Sequence, residues 1–146
     1  MERTEKSRSI GKSFEQLVHT AVTLRGENGC VWDKEQTTAS LKPFLLEESY
    51  EVLAAIDEGN PEHVKEELGD LLYQIIFLSQ IFMEGGRFDI IDVIDHIQAK
   101  LIRRHPHVFG DEKLDTSQEV IARWEEIKRE EKKTQEKGKD VKEMSS

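Results

Sequence analysis

Apolar residues recur at intervals of three and four along most of the chain, and this period predicts amphipathic helices. No segment of strand length alternates between apolar and polar residues. Start and stop signals predict helices at about 13–24, 40–58, 60–84, 89–104 and 116–124. The turn-rich residues 25–39 between the first two helices predict a loop. The pattern therefore predicts an all-α fold, with a four-helix-bundle-like core and a trailing helix.

Three of the predicted helix starts depend on residues that favour caps. Ser13 with Gln16 has the spacing of a capping box, and Thr116 opens a second one. Asn60 precedes Pro61, which is the usual order of an N-cap and a first helical residue.

The segment LLYQIIFLSQIFM, residues 71–83, is apolar nearly all round its predicted helix. Such a helix must be surrounded by other helices, either centrally in one bundle or across a subunit interface. In a chain of 146 residues a partner subunit is the simpler explanation. We therefore expect helices paired across a homodimer interface, with a higher oligomer as an open alternative. The segment is too short to span a bilayer, so we expect no membrane anchor.

Composition predicts one folded helical domain over residues 13–130. Residues 1–12 are expected to be a flexible N-terminus without the apolar core of a secretory signal. Residues 131–146 are almost all polar or charged and are expected to form a disordered tail, because they cannot bury enough apolar area.

The net charge and the cysteine content limit the functional classes. A net charge of -9 disfavours nucleic acid and anionic membranes as partners, because phosphate-rich surfaces attract basic proteins. Cys30 is the only cysteine, so no intrachain disulfide can form. The single cysteine, together with the lack of an apolar signal segment, favours a cytoplasmic location.

Two predicted helices each carry a group of three carboxylates. The residues are Glu47, Glu48 and Glu51 in the first group and Glu66, Glu67 and Asp70 in the second. Because residues three apart lie about 60° apart around a helix, Glu48 and Glu51 share one side of theirs. Glu67 and Asp70 do the same, and both pairs border apolar stripes. The two pairs are therefore expected to face the seam between the helices.

Converging carboxylates need a counter-charge, because each pair at ~4 Å repels by about 1 kcal/mol even in water. Oxygen ligands favour a hard divalent cation, so Mg²⁺ is the first candidate and Mn²⁺ the second. The alternative is that each group is a solvated helix face, which is the commoner explanation for a single acidic group. The presence of two matching groups favours the metal site.

A basic group lies near the end of the fourth predicted helix. Lys100, Arg103 and Arg104 share one face in the segment KLIRRHPHVFG and could hold phosphates. Cations are also favoured at a helix C-terminus by the macrodipole, and both explanations stay open. Trp32 and Trp124 could stack on a base, with Lys34 adding polar reach, although lone aromatic residues are more often packing residues.

The order of four segments resembles the MazG family of nucleoside triphosphate pyrophosphohydrolases. The segments are GCVWDKEQT, LLEESYEVLAAI, EELGDLLYQIIF and KLIRRHPHVFGD, and the resemblance extends over residues 14–128. The family's mark is Glu-Glu-x-x-Glu followed by Glu-x-x-Asp. The resemblance implies an all-α, dimeric enzyme that hydrolyses nucleoside triphosphates to monophosphates and pyrophosphate with Mg²⁺.

Matching positions imply roles for individual residues. Glu48, Glu51, Glu67 and Asp70 would be metal ligands, with Glu47 and Glu66 orienting them or contacting nucleotide. Lys100, Arg103 and Arg104 would hold phosphates, and Trp124 would lie near the nucleotide. A general-base role for Glu47 and a purely structural one are equally open. Two other functions also stay open: a relative with a narrower substrate, such as phosphoribosyl-ATP or a single deoxynucleotide, and a non-catalytic helical module that binds nucleotide or a partner.

Overall fold

A computed structural model describes the backbone of residues 2–144 and the side chains of residues 9–138. The described residues form seven helices and no strand, which confirms the all-α class. The helices are α1 (Glu2–Arg25), α2 (Val31–Glu35), α3 (Thr38–Glu58), α4 (Pro61–Glu84), α5 (Ile90–Arg104), α6 (Pro106–Phe109) and α7 (Ser117–Met144). None of these helices combines the length and the hydropathy needed to cross a membrane.

A tight connection joins α3 to α4 and makes them neighbours. Gly59 ends α3 in the left-handed region, at φ 73°, where a side chain would be strained. Asn60 then caps α4, since its side chain accepts a hydrogen bond from the Glu62 N–H at 3.1 Å. Pro61 occupies the first helical position, as the sequence predicted. The two helices are thus held side by side, and α1 packs on α4.

The core beneath this pair is built from few side chains. Leu41, Val52 and Ala55 of α3 are buried with Ile76 and Phe77 of α4. Glu67 is also buried, at 8% exposure, although it is a carboxylate in the first half of α4. A buried acid is unusual without a partner, so its surroundings are where a functional site is expected.

The chain divides into two compact units, Met1–Val93 and Ile94–Ser146. The first contains α1 to α4, and the second contains α6, α7 and most of α5. The sequence predicted one helical domain over residues 13–130, and the division into two units does not test the bounds of that domain. It stays a prediction.

Several helix boundaries differ from those predicted from the sequence. Ser13 lies inside α1, because the charged residues before it contain no helix breaker strong enough to end the helix. The short helices α2 and α6 occupy segments predicted as loops, and α7 continues to Met144 through exposed pairs such as Lys128 with Glu125. The flexible start and the disordered tail stay predictions. Residues 1, 145 and 146 of those segments lie outside the described residues.

Candidate metal centre

Three carboxylates from α3 and α4 converge on one point. One oxygen each of Glu48, Glu67 and Asp70 lies within 4.8 Å of the other two. Glu48 projects from the middle of α3, while Glu67 and Asp70 lie one turn apart on α4. The sequence predicted this convergence from the three-residue spacing. We call these three residues the acidic cluster.

Glu48 lies in an unfavourable environment for a carboxylate. Its Oε2 is buried and has no hydrogen-bond partner among the described residues. Burial raises the pKa of Glu48, and the neighbouring charges of Asp70 and Glu67 raise it further. The charges of Glu47 and Glu51 add smaller contributions in the same direction. The protein thus holds a buried, unpaired oxygen beside like charges, which is the arrangement that a cation relieves.

His63 orients Glu67, and sequence reasoning did not identify it. The Nε2 of His63 lies 3.2 Å from Glu67 Oε1, one turn along α4, while its Nδ1 hydrogen-bonds to Glu58. The hydrogen bond to Glu58 raises the pKa of His63, and Glu67 contributes less. The four-residue spacing of His63 and Glu67 was a signal available in the sequence.

The other predicted acidic residues lie outside the acidic cluster. Glu47 and Glu51 line an open groove of about 500 Å³ along α3, together with exposed apolar residues such as Leu46 and Tyr50. Glu66 is exposed on α4. The described chain therefore brings together three of the four predicted metal ligands, and it places Glu51 on the neighbouring stripe of the same helix.

The loop after α1 contains the predicted nucleotide-binding residues Trp32 and Lys34. Trp32 is half exposed and its ring meets Phe44 of α3 edge-on, with centroids 5.6 Å apart. Phe44 lies one helical turn before Glu48. The Nζ of Lys34 donates to the Glu27 carbonyl at 3.1 Å, so this lysine supports the loop.

The predicted phosphate-binding arginines lie in the second unit and already have an acidic partner. Arg104 Nη2 donates to Glu131 Oε2 at 2.9 Å, and Arg103 Nε donates to Glu131 Oε1 at 2.8 Å. Arg104 also lies over the ring of Trp124, 5.2 Å from its centroid. These hydrogen bonds, first from Arg104 and then from Arg103, lower the pKa of Glu131 to about 2. We call Arg103, Arg104 and Glu131 the arginine cluster.

Lys100 borders the same region as these arginines. It lines a pocket of about 560 Å³ in the second unit, together with Arg103, Arg104 and Glu131. The mixed charge of the lining gives the pocket both donors and acceptors. The structure thus brings together the three predicted phosphate-binding residues, Lys100, Arg103 and Arg104.

The donor set of the acidic cluster fits a hard divalent cation. The ligand atoms are carboxylate oxygens, which are the ligands that Mg²⁺ and Mn²⁺ prefer. The unpartnered Glu48 Oε2 supplies an oxygen that no described group uses. The fold and the site together define an all-α protein with a candidate carboxylate metal centre between two adjacent helices.

The sequence matches the MazG nucleotide pyrophosphohydrolase domain over residues 36–109. This range contains α3 and α4, and with them the whole acidic cluster. The chain belongs to this family.

Individual relatives agree with this assignment. The chain is 55% identical over 106 residues to the nucleoside triphosphate pyrophosphohydrolase of Escherichia coli K12, covering 73% of this chain and 40% of that protein. It is 50% identical over 125 residues to the nucleoside triphosphate pyrophosphohydrolase/pyrophosphatase MazG of Thermotoga maritima, covering 86% and 48%. The chain thus spans less than half the length of either relative.

A solved structure has the same fold. The crystal structure of a mazG-related protein from Thermotoga maritima matches with a TM-score of 0.66 at 26% sequence identity. The match covers 79% of this chain and 98% of that one. The helical arrangement is therefore shared with a family member.

Proposed function

We propose that the chain is a nucleoside triphosphate pyrophosphohydrolase, acting on ribo- or deoxynucleoside triphosphates in nucleotide pool sanitation or regulation. Water attacks the α-phosphorus, the bond between the α-phosphorus and the bridging oxygen breaks, and a nucleoside monophosphate and pyrophosphate are released. The observation that carries the proposal is the acidic cluster, which lies within the matched family domain. The names of the two enzyme relatives support the same activity.

We propose Mg²⁺ as the natural ion, with Mn²⁺ as a substitute. Glu48, Glu67 and Asp70 would hold it, and Glu51 would join them as a fourth ligand. When bound, a divalent cation neutralises triphosphate charge and lowers the pKa of a coordinated water. His63 holds one oxygen of Glu67, which limits the orientations of this carboxylate before any ligand arrives.

Other residues have proposed roles in substrate binding. Arg103 and Arg104 offer guanidinium donors to phosphate oxygens, for which their planar geometry is better suited than that of Lys100. Trp32 and Trp124 offer aromatic faces to the base.

The roles of the remaining acidic residues and of Lys34 are also proposals. Glu47 is exposed on the groove side of α3, where it could accept a proton through water or serve only as structure. Glu66 and Lys34 would contact nucleotide at the edge of the site.

The assembly and the location are further parts of the proposal. A homodimer is supported by the exposed apolar residues on α3 and α4, because a second copy of the chain would bury them. These include Leu46, Tyr50, Leu53, Ile56, Leu68 and Leu72. A cytoplasmic location is supported by the single cysteine. The strongly negative net charge supports a small-molecule substrate over nucleic acid or membrane partners.

The experiment is a substrate panel. The protein is incubated with Mg²⁺ and each ribo- and deoxynucleoside triphosphate, the nucleotides are separated by chromatography, and pyrophosphate is assayed. Monophosphate with pyrophosphate, lost in Glu67→Ala or with a chelator, supports the proposal. Diphosphate with orthophosphate means that a different bond is cleaved. Turnover of one nucleotide or of phosphoribosyl-ATP alone favours the narrow enzyme, and binding without turnover favours the non-catalytic module.

A further inference from the structure

Arg25, the last residue of α1, contacts four residues of the first unit. Its Nε donates to the carboxylate of Glu84 at 2.9 Å, and its Nη1 donates to the carbonyls of Asp33 at 2.6 Å and Gln36 at 3.1 Å. Its guanidinium lies over the ring of Phe77, 5.4 Å from the centroid. The side chain is only 11% exposed. Arg25 therefore connects the end of α1, the end of α2 and two positions on α4.

The segment that Arg25 contacts cannot maintain its own conformation. The helix α2 has five residues, far fewer than an isolated helix needs in water. The Asp33 carbonyl accepts a long hydrogen bond from the N–H of Gln36, the C-cap residue, at 3.3 Å, and Arg25 adds a shorter one to it. Arg25 also donates to the carbonyl of Gln36, just past the end of the helix. Because Phe77 and Glu84 belong to α4, the contacts of the guanidinium hold α2 in a fixed position relative to α4.

The start of this loop is fixed by a close backbone approach. The Cys30 N–H donates to the Leu24 carbonyl at 2.9 Å. A Cβ at Gly29 would lie 2.2 Å from the same oxygen, so no side chain fits there. The loop is therefore closed at its start by the backbone and at its end by Arg25.

We propose that Arg25 is a positioning residue for Trp32, which it holds on Phe44 beside the acidic cluster so that the indole can stack on the base of the nucleotide. Trp32 lies in α2, between the two ends of the loop, and it contacts Phe44 one turn before Glu48. The inference rests on the proposed function, because it assigns the indole to a nucleotide substrate. Arg25 itself touches neither the acidic cluster nor, on this inference, the substrate.

The test compares Arg25→Ala, Arg25→Lys, Trp32→Ala and the Arg25→Ala/Trp32→Ala double variant. In Arg25→Ala we expect KM for a nucleoside triphosphate to rise about tenfold, the scale of one base–aromatic stack, while kcat changes less than about twofold. The double variant should have the KM of either single variant, because both remove the same contact. Arg25→Lys keeps the charge but cannot serve both carbonyls and Glu84, so it should fall between wild type and Arg25→Ala.

A fluorescence measurement without substrate tests whether Arg25 fixes the position of Trp32. In a Trp124→Phe background Trp32 is the only tryptophan, and its emission should shift to the red when Arg25 is replaced. Arg87→Ala is the matched control, because Arg87 is an exposed arginine three residues after Glu84, and it should change neither KM nor emission.

The outcomes separate this inference from the proposed function. If Arg25→Lys and Arg25→Ala leave KM and emission unchanged, or if their effects add to those of Trp32→Ala, the inference is wrong even though hydrolysis continues. If Arg25→Ala does not fold, Arg25→Lys decides. If the wild type hydrolyses no nucleotide, the proposed function fails, and so does the assignment of the Trp32 indole to a nucleotide base. An emission shift in the Arg25 variants would still show that Arg25 positions Trp32.

Discussion

The acidic cluster and the arginine cluster are built from similar numbers of charged side chains, yet they are balanced in opposite ways. In the acidic cluster three carboxylates meet, and Glu48 Oε2 has no partner among the described residues. In the arginine cluster two guanidinium groups share the carboxylate of Glu131 at 2.8 to 2.9 Å. The first arrangement leaves like charges together without a cation, while the second is satisfied internally.

This difference shows which charged group is specialised for a ligand. Like charges held together cost free energy in the metal-free protein, and carboxylates perturbed in this way cluster at functional sites. Paired charges stabilise the fold without a ligand, and a phosphate must compete with Glu131 for the same donors. The acidic cluster therefore carries the stronger functional inference, and the arginines need a direct test.

The largest expected effect is on the acidic cluster. Asp70→Asn removes one negative charge from an exposed position, so it should leave the fold intact and lower kcat/KM about a thousandfold. The measurement is steady-state hydrolysis with Mg²⁺. Glu62→Gln is the control, since Glu62 lies on the same helix in an exposed pair with Lys65. Loss of less than tenfold in Asp70→Asn would remove Asp70 from the metal site.

The next effect tests whether the arginine cluster also binds substrate. Arg104→Ala should raise KM about tenfold with little change in kcat, because a remote phosphate contact contributes uniform binding. Kinetics at several nucleotide concentrations measure both constants. Arg129→Ala serves as the control, because Arg129 is exposed on α7. An unchanged KM with a lower thermal midpoint would show that Arg104 has a structural role only.

A smaller effect comes from the internal partner of the arginines. Because the folded-state pKa of Glu131 is lowered to about 2, its stabilisation is present above the ordinary pKa near 4.5 and is lost as the pH falls towards 2. Glu131→Gln should therefore lower the free energy of unfolding by about 1 kcal/mol at pH 7, after solvent screening. Denaturant titrations at pH 7 and at a pH near 2 should show that the difference in unfolding free energy between wild type and Glu131→Gln disappears in acid. A difference independent of pH would contradict the ionic explanation.

The smallest effect has the opposite sign and is expected in the acidic cluster. The folded-state pKa of Glu48 is raised, so ionisation of this group destabilises the metal-free protein once the pH rises above its unfolded value near 4.5. Glu48→Gln should stabilise the metal-free protein by less than about 1 kcal/mol at pH 8 and have little effect at pH 4. Thermal unfolding in chelator measures it. Destabilisation at pH 8 would mean that the carboxylate has an attractive partner.

Strong local signals predicted much of the fold. The cap and proline at Asn60 and Pro61 marked the start of α4, and Thr116 marked the start of α7. The capping pattern at Ser13 was misleading because nothing before it breaks the helix. The short helices α2 and α6 depend on contacts and turns rather than on periodicity, so the hydrophobic pattern could not show them.

The candidate site was partly predictable for a related reason. Spacing within one helix identified Glu67 and Asp70, and the same rule would have found His63. It could not separate Glu48 from Glu51, because both border the apolar stripe and only packing decides which one faces α4. The contact of Arg25 with Glu84 joins residues 59 positions apart, and no local pattern predicts such a pair.

The unpaired oxygen of Glu48 also has a consequence for folding in the cell. A cation that binds only the folded chain adds RT ln(1 + [cation]/Kd) to its stability, or about 1.4 kcal/mol for each tenfold excess over Kd. The same carboxylates that weaken the metal-free chain would then link the amount of folded protein to the supply of divalent ions. On the proposal that the ion is Mg²⁺, magnesium starvation would reduce the abundance of the protein as well as its rate of turnover.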